Sequence, residues 1–181
     1  MKHGSFSCFY KKNRGLAVIE FTIVSTVLLI ALFAIMEFAR FVFSLQMLNE
    51  VTRKSARLAS VCYVTEQGNI PSLASITAVA PSGYEPSMLS IDYLDGSGQL
   101  VDTAIFNSGS ATVEQVDEQF EKIRFVRTKI ENFSFGFSLL SSLLGSVVTP
   151  NFETIVPAES LGIYRPIGEM ESVPSGSTSC L

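Results

Sequence analysis

Arg14-Gly15-Leu16-Ala17-Val18-Ile19-Glu20-Phe21 opens a run that continues without Gly or Pro to Gln67, and its reading decides the fold. From Phe21 to Met36 only Thr22, Ser25 and Thr26 are polar, and residues 16–42 hold three charges, Glu20, Glu37 and Arg40. At about 1.5 Å per residue these positions reach roughly 40 Å as a helix, more than the ~30 Å of bilayer hydrocarbon. One membrane-spanning helix is the reading. Glu20 is the odd residue in it, because a carboxylate at mid-bilayer costs roughly 2.5–3.5 kcal/mol on insertion scales and marks a functional hypothesis. The plainer alternative has Glu20 near the helix start, reaching back to the headgroups.

Downstream the run changes character without a break. Phe41, Leu45, Leu48, Val51, Ala56, Ala59 and Cys62 recur every three to five residues, with Gln46, Asn49, Glu50, Arg53, Lys54, Arg57 and Ser60 between them. That spacing predicts an amphipathic stem over 43–66, extending the helix to about 50 residues and roughly 75 Å. Glu37 with Arg40, and Glu50 with Arg53 and Lys54, have the i,i+3 and i,i+4 spacing of helix-surface pairs. The basic positions Arg53, Lys54 and Arg57 read as a solvated or headgroup-facing stripe.

Upstream, residues 1–15 form a leader that carries Lys2, Lys11, Lys12 and Arg14 and no acid, which favours keeping the N-terminus in the cytoplasm. The apolar run exceeds the 7–15 residues usual for a secretory signal, and Val61 before Cys62 is too bulky for a lipoprotein site. The helix is therefore expected to stay as an anchor. Without the leader, nine basic residues face 17 acids, a net charge of −8 against −4 for the whole chain. Such a balance speaks against a nucleic-acid partner. Loss of the leader also removes Cys8 and leaves Cys62 and Cys180, either two separate thiols or one disulfide tying the tail to the stem in an oxidising compartment.

Residues 67–181 read as a small α+β domain. Gly68, Pro71, Pro81, Gly83 and Pro86 end the stem. Residues 87–94 alternate, Asp95-Gly96-Ser97-Gly98 supplies a turn, and residues 99–106 return, so a β-hairpin is expected, with Asp92 and Asp95 as turn residues. Thr112 with Gln115 forms a capping box for a second helix carrying Val113, Val116, Phe120, Ile123, Val126 or Arg127, and Ile130, expected to pack on the hairpin. The apolar cluster Phe133, Phe135, Phe137, Leu139, Leu140, Leu143 and Leu144 is either core or a subunit contact. Residues 152–156 suit a strand, and the Ser- and Pro-containing tail suits coil.

Little in the chain suggests catalysis or a cofactor. The one histidine is His3, in the leader, which removes Ser-His-Asp and Cys-His chemistry and imidazole metal ligation from the rest. Cys62 and Cys180 have no CxxC spacing, and Gly96-Ser97-Gly98 lacks the pattern of a phosphate loop. No catalytic residue, metal ligand or cofactor is assigned.

Arg14-Gly15 before Glu20-Phe21, then Met36-Glu37-Phe38-Ala39-Arg40, then Val51-Thr52-Arg53-Lys54-Ser55-Ala56-Arg57-Leu58-Ala59 resemble the N-terminal region of TadE/TadF-type pseudopilins of the bacterial tight-adherence (Flp, type IVc) pilus system. The resemblance implies a prepilin peptidase cutting between Gly15 and Leu16, which makes Glu20 the fifth residue of the mature chain. It implies an inner-membrane protein with a periplasmic domain whose partners are the peptidase, other pilin-like subunits and the assembly platform. Physically, an ammonium on Leu16 lies one turn from Glu20, or faces it from a neighbouring helix, so Glu20 and Phe21 would set the register between subunits. Ala17, Thr22, Ser25 and Thr26 would permit close helix approach. The competing reading is a signal-anchored periplasmic binding or sensor module on a passive membrane helix.

Overall fold

The computed structural model describes residues 14–108, 111–138 and 145–162. Helix α1, Arg14–Val61, is followed by an α+β domain. Three antiparallel strands, β1 (Leu89–Leu94), β2 (Phe125–Ile130) and β5 (Phe152–Pro157), form a sheet in the order β1-β2-β5. A second pair joins β3 (Ser134–Gly136) to β4 (Ser146–Val148). A short helix α2 (Ala74–Thr77) and 3-10 turns fill the connection from the stem, and α3 (Val113–Lys122) precedes β2.

Two halves of α1 meet different surroundings. Through residues 15–36 nearly every side chain is exposed, with Phe21 at 74% and Ile35 at 67%. From Glu37 a buried stripe begins and continues through Phe41, Ser44, Leu48, Val51, Thr52, Ser55, Ala59 and Cys62, at the three- and four-residue intervals of one helical face. That face lies across the sheet. The register puts Leu89, Ile91 and Tyr93 of β1 beside Ile130, Thr128 and Val126 of β2, with Phe152, Thr154 and Val156 of β5 next in line. Alternation along the strands turns all nine toward α1.

Threonines join helix to sheet. Thr128 Oγ1 donates to the Thr52 carbonyl at 2.8 Å, Thr154 Oγ1 donates to Thr52 Oγ1 at 3.1 Å, and Thr52 Oγ1 donates to the Asn49 carbonyl at 2.9 Å. Each hydroxyl thereby has a partner, and Thr52 and Thr128 are fully buried. Tyr93 donates to the Ala59 carbonyl at 3.4 Å, and its burial raises the phenol pKa. At the end of α1 the chain returns as a strap: the amides of Glu159 and Leu161 donate to the Ser60 carbonyl. Gly162 then passes against Tyr63 with φ +75°.

Several sequence expectations are corrected. The turn at Asp95 forms, its carboxylate accepting from the Ser97 amide and hydroxyl and from the Gln99 amide, and these bonds, the Ser97 hydroxyl first, lower its pKa. The return strand does not follow. After the Leu94–Leu100 bridge, Asp102 accepts from the Ala104 amide and the chain enters the 3-10 turn Ala104–Asn107, so the strand paired along β1 is β2. Asp92 is a strand residue that receives two bonds from Arg127, directly opposite, at 3.0 and 2.7 Å. The capping box at Thr112 and Gln115 is present, but α3 stops at Lys122. Val126 and Ile130 are four apart, a spacing that suits a helix face and a strand face equally; Thr128, buried between exposed or half-exposed neighbours, belongs to a period of two. α3 rests Phe120 on Phe106, ring centroids 6.3 Å apart, and has no fully buried residue. Residues 1–13, Leu139, Leu140, Leu143, Leu144 and the tail with Cys180 lie outside the described residues.

The strap yields a test of the packing. A Cβ on Gly162 would sit 2.5 Å from the Tyr63 amide nitrogen in a conformation L-residues avoid. Gly162→Ala is expected to lower stability by about 1–3 kcal/mol in denaturant titration, while Gly68→Ala, where a Cβ meets open space, stays within about 0.5 kcal/mol of the parent.

Candidate functional site

The exposed half of α1 is the first surface with functional content. It meets the length and hydropathy of a membrane span, and none of its most apolar window is buried by the other described residues. Residues 15–36 cover roughly 33 Å at 1.5 Å each, close to the thickness of bilayer hydrocarbon. The hydroxyls within it are satisfied locally. Thr22 Oγ1 donates to the Val18 carbonyl at 2.8 Å, Ser25 Oγ to that of Phe21 at 2.8 Å, and Thr26 Oγ1 to that of Thr22 at 2.7 Å. Bonded back to their own helix, they enter an apolar phase without an orphaned donor and leave small side chains on the surface.

Gly15, Leu16, Glu20 and Phe21 all stand on this exposed half. A Cβ at Gly15 would meet nothing within 4 Å, so packing does not require glycine there. Glu20 lies one turn beyond Leu16 and forms no ion pair among the described residues.

The second feature is the junction where the exposed half meets the domain. Glu37 and Arg40 stand 3.2 Å apart, at i,i+3 on α1. Rather than a surface pair, the Glu37 side chain is only 1% exposed, whereas Arg40 is half exposed. Ser138 Oγ donates to Glu37 Oε1 at 2.9 Å, and Arg40 Nη1 bonds both Glu37 oxygens and, at 2.6 Å, the Ser138 hydroxyl. Phe135 packs edge-on against Phe41 and Phe137, centroids 5.4 and 5.3 Å away, with the Arg40 guanidinium carbon 6.0 Å from its ring. A carboxylate removed from water is tolerated here because a cation and a hydroxyl face it. Sequence reasoning missed Ser138 and the Phe135 contact. The signal was the alternation Phe133-Ser134-Phe135-Gly136-Phe137, which sets the three rings on one side of an extended segment.

Cys62 closes the buried stripe and is a disulfide cysteine. Its expected partner, Cys180, lies outside the described residues. Among the described residues no group of three His, Cys, Asp or Glu is placed to hold a metal ion.

The family model for TadE-like protein matches residues 15–57. Over that segment the chain is similar to TadE-like proteins. The match takes in the exposed run, the Glu37–Arg40 junction and the stem through Arg57, and it agrees with the resemblance to TadE/TadF-type pseudopilins carried by Gly15, Glu20, Glu37 and Arg40. No curated protein and no solved structure matches the chain significantly.

The junction makes a prediction. Arg40→Met strips the guanidinium from a buried carboxylate and is expected to cost about 2–3 kcal/mol, below the range for a fully buried pair because Arg40 is half exposed. Glu37→Leu combined with Arg40→Leu should cost less than Arg40→Met alone, read as the denaturation midpoint of the detergent-solubilised chain.

Proposed function

We propose that this chain is a pilin-like minor subunit of a tight-adherence pilus. It is held in the bacterial inner membrane by α1, carries its α+β domain in the periplasm, and is processed by a prepilin peptidase between Gly15 and Leu16. The observation that carries this reading is that the TadE-like match covers the same helix whose apolar half finds no cover among the described residues of its own chain. Such a helix needs lipid or other helices around it, and a pilus subunit exchanges the first for the second.

Processing is supported by Gly15. Glycine in a helix costs about 1 kcal/mol relative to alanine and packing does not call for it here, so a requirement outside the fold explains it better. Cleavage makes the Leu16 nitrogen an ammonium one turn from Glu20. In a low-dielectric surrounding the two charges offset each other's desolvation, whether within one helix or between neighbours, and this fixes how far one helix slides along the next. Phe21 lies beside Glu20 at that contact. In the periplasm, a bridge from Cys62 to Cys180 closes a loop of more than 100 residues, which by chain entropy contributes roughly 4–5 kcal/mol.

N-terminal sequencing of the membrane-extracted protein tests the reading. Leu16 is expected as the first residue, and Glu20→Leu is expected to insert normally while abolishing incorporation into pili. A retained Met1, or full function after exchange of residues 16–36 for an unrelated membrane helix, would favour a passively anchored periplasmic module instead.

A further inference from the structure

Two ridges of opposite charge on this chain are left largely uncompensated. On the stem, Arg53 and Arg57 are exposed, one turn apart, on the side of α1 opposite the buried stripe, and neither forms an ion pair among the described residues. On α3, Glu114, Glu118 and Glu121 follow the i, i+4, i+7 spacing of a single exposed face. Among the described residues only Glu118 has a cation, Lys122 at 2.9 Å. Four residues rise about 6 Å in either helix, so Arg53 and Arg57 present their charges at the interval of Glu114 and Glu118.

The bilayer that holds α1 does not account for the basic ridge. Arg53 is 17 residues past Met36, about 25 Å along the helix, and even a 40° tilt leaves roughly 20 Å, beyond the Debye length of about 8 Å. The chain's own α3 does not account for it either. α3 leads into the end of β2 at Phe125, the end where neighbouring Tyr93 bonds the Ala59 carbonyl, and its Phe120 rests on the turn that Thr103 ties to Gln67. α3 is thus held toward the Ala59 end of the stem, and none of its carboxylates pairs with Arg53 or Arg57 of its own molecule among the described residues.

We infer that the Arg53–Arg57 ridge of one subunit receives the acidic ridge of α3 from a second copy displaced along the helix axis. The inference rests on reading the chain as an assembling subunit and adds the contact by which its domains meet. Two different patches mate, so the contact is heterologous and repeats from copy to copy rather than closing a pair. Exposed ion pairs are individually weak, but membrane confinement raises the effective concentration, and charge complementarity then selects partner and register.

Two differently tagged populations of the full chain, one Arg57→Cys and one Glu118→Cys, would be reconstituted together in phosphatidylethanolamine/phosphatidylglycerol vesicles and oxidised. The mixed disulfide is expected about fivefold above that of an Arg57→Cys and Ser90→Cys pair. It should fall to that background when the second chain also carries Glu114→Lys and Glu121→Lys, and recover when the first also carries Arg53→Glu. Mixed product at background, indifferent to these charges, or dependent on phosphatidylglycerol in place of the acidic ridge overturns the inference. Copurification of the two tags reads association separately: tags that copurify without the 57–118 product remove this contact and leave the assembling subunit standing, whereas tags that do not copurify remove both.

Discussion

The structure depends on a helix whose two halves have incompatible surroundings. Residues 15–36 expose a continuous apolar surface, including Phe21, Ile23, Leu28 and Ile35, each more than half exposed. Burying one such side chain is worth about 1.5–3 kcal/mol, so the run as a whole represents tens of kcal/mol that the other described residues do not recover. An apolar phase must supply that cover. Six turns of unbroken helix satisfy the backbone internally, which is what allows the segment to enter lipid.

The other half is the spine of the domain. From Glu37 to Cys62 one face of α1 is covered in turn by Phe135, the sheet and the returning strap at Leu161. The Thr52, Thr128 and Thr154 bonds hold the three-stranded sheet, and the Glu37, Arg40 and Ser138 cluster holds the segment after β3, so the domain is fixed at two levels along the helix. Helix and domain are thus one body, and an axial displacement of the membrane half carries the domain with it. This is the mechanical property a subunit needs if a register chosen along the apolar half is to be transmitted to the surface of the domain.

Much of this was legible in the sequence. The apolar run, the stem stripe, the turn at Asp95 and the capping box at Thr112 are local patterns, each governed by residues within about one turn of one another. The strands were harder to read for an equally physical reason. β1 pairs with β2 across more than 30 residues, so what Leu89 and Tyr93 need is decided by Ile130 and Val126, not by the adjacent turn. A four-residue interval such as Val126 to Ile130 is common to both helical and extended faces. The role of Glu37 was hidden similarly: an i,i+3 pair looks like surface chemistry until a serine 101 residues away covers it.

The central claim is that Glu37 marks the boundary between a lipid-covered and a protein-covered helix. Single cysteines from position 17 to position 45, spin-labelled in the full chain in vesicles and read by oxygen against nickel-chelate collision, measure it directly. The account predicts oxygen-dominated, lipid-like collision at all labels from about 18 to 36 and a change to helical alternation beginning at 37. Water-like collision in the middle of the apolar run, or alternation that begins well before Glu37, would contradict it.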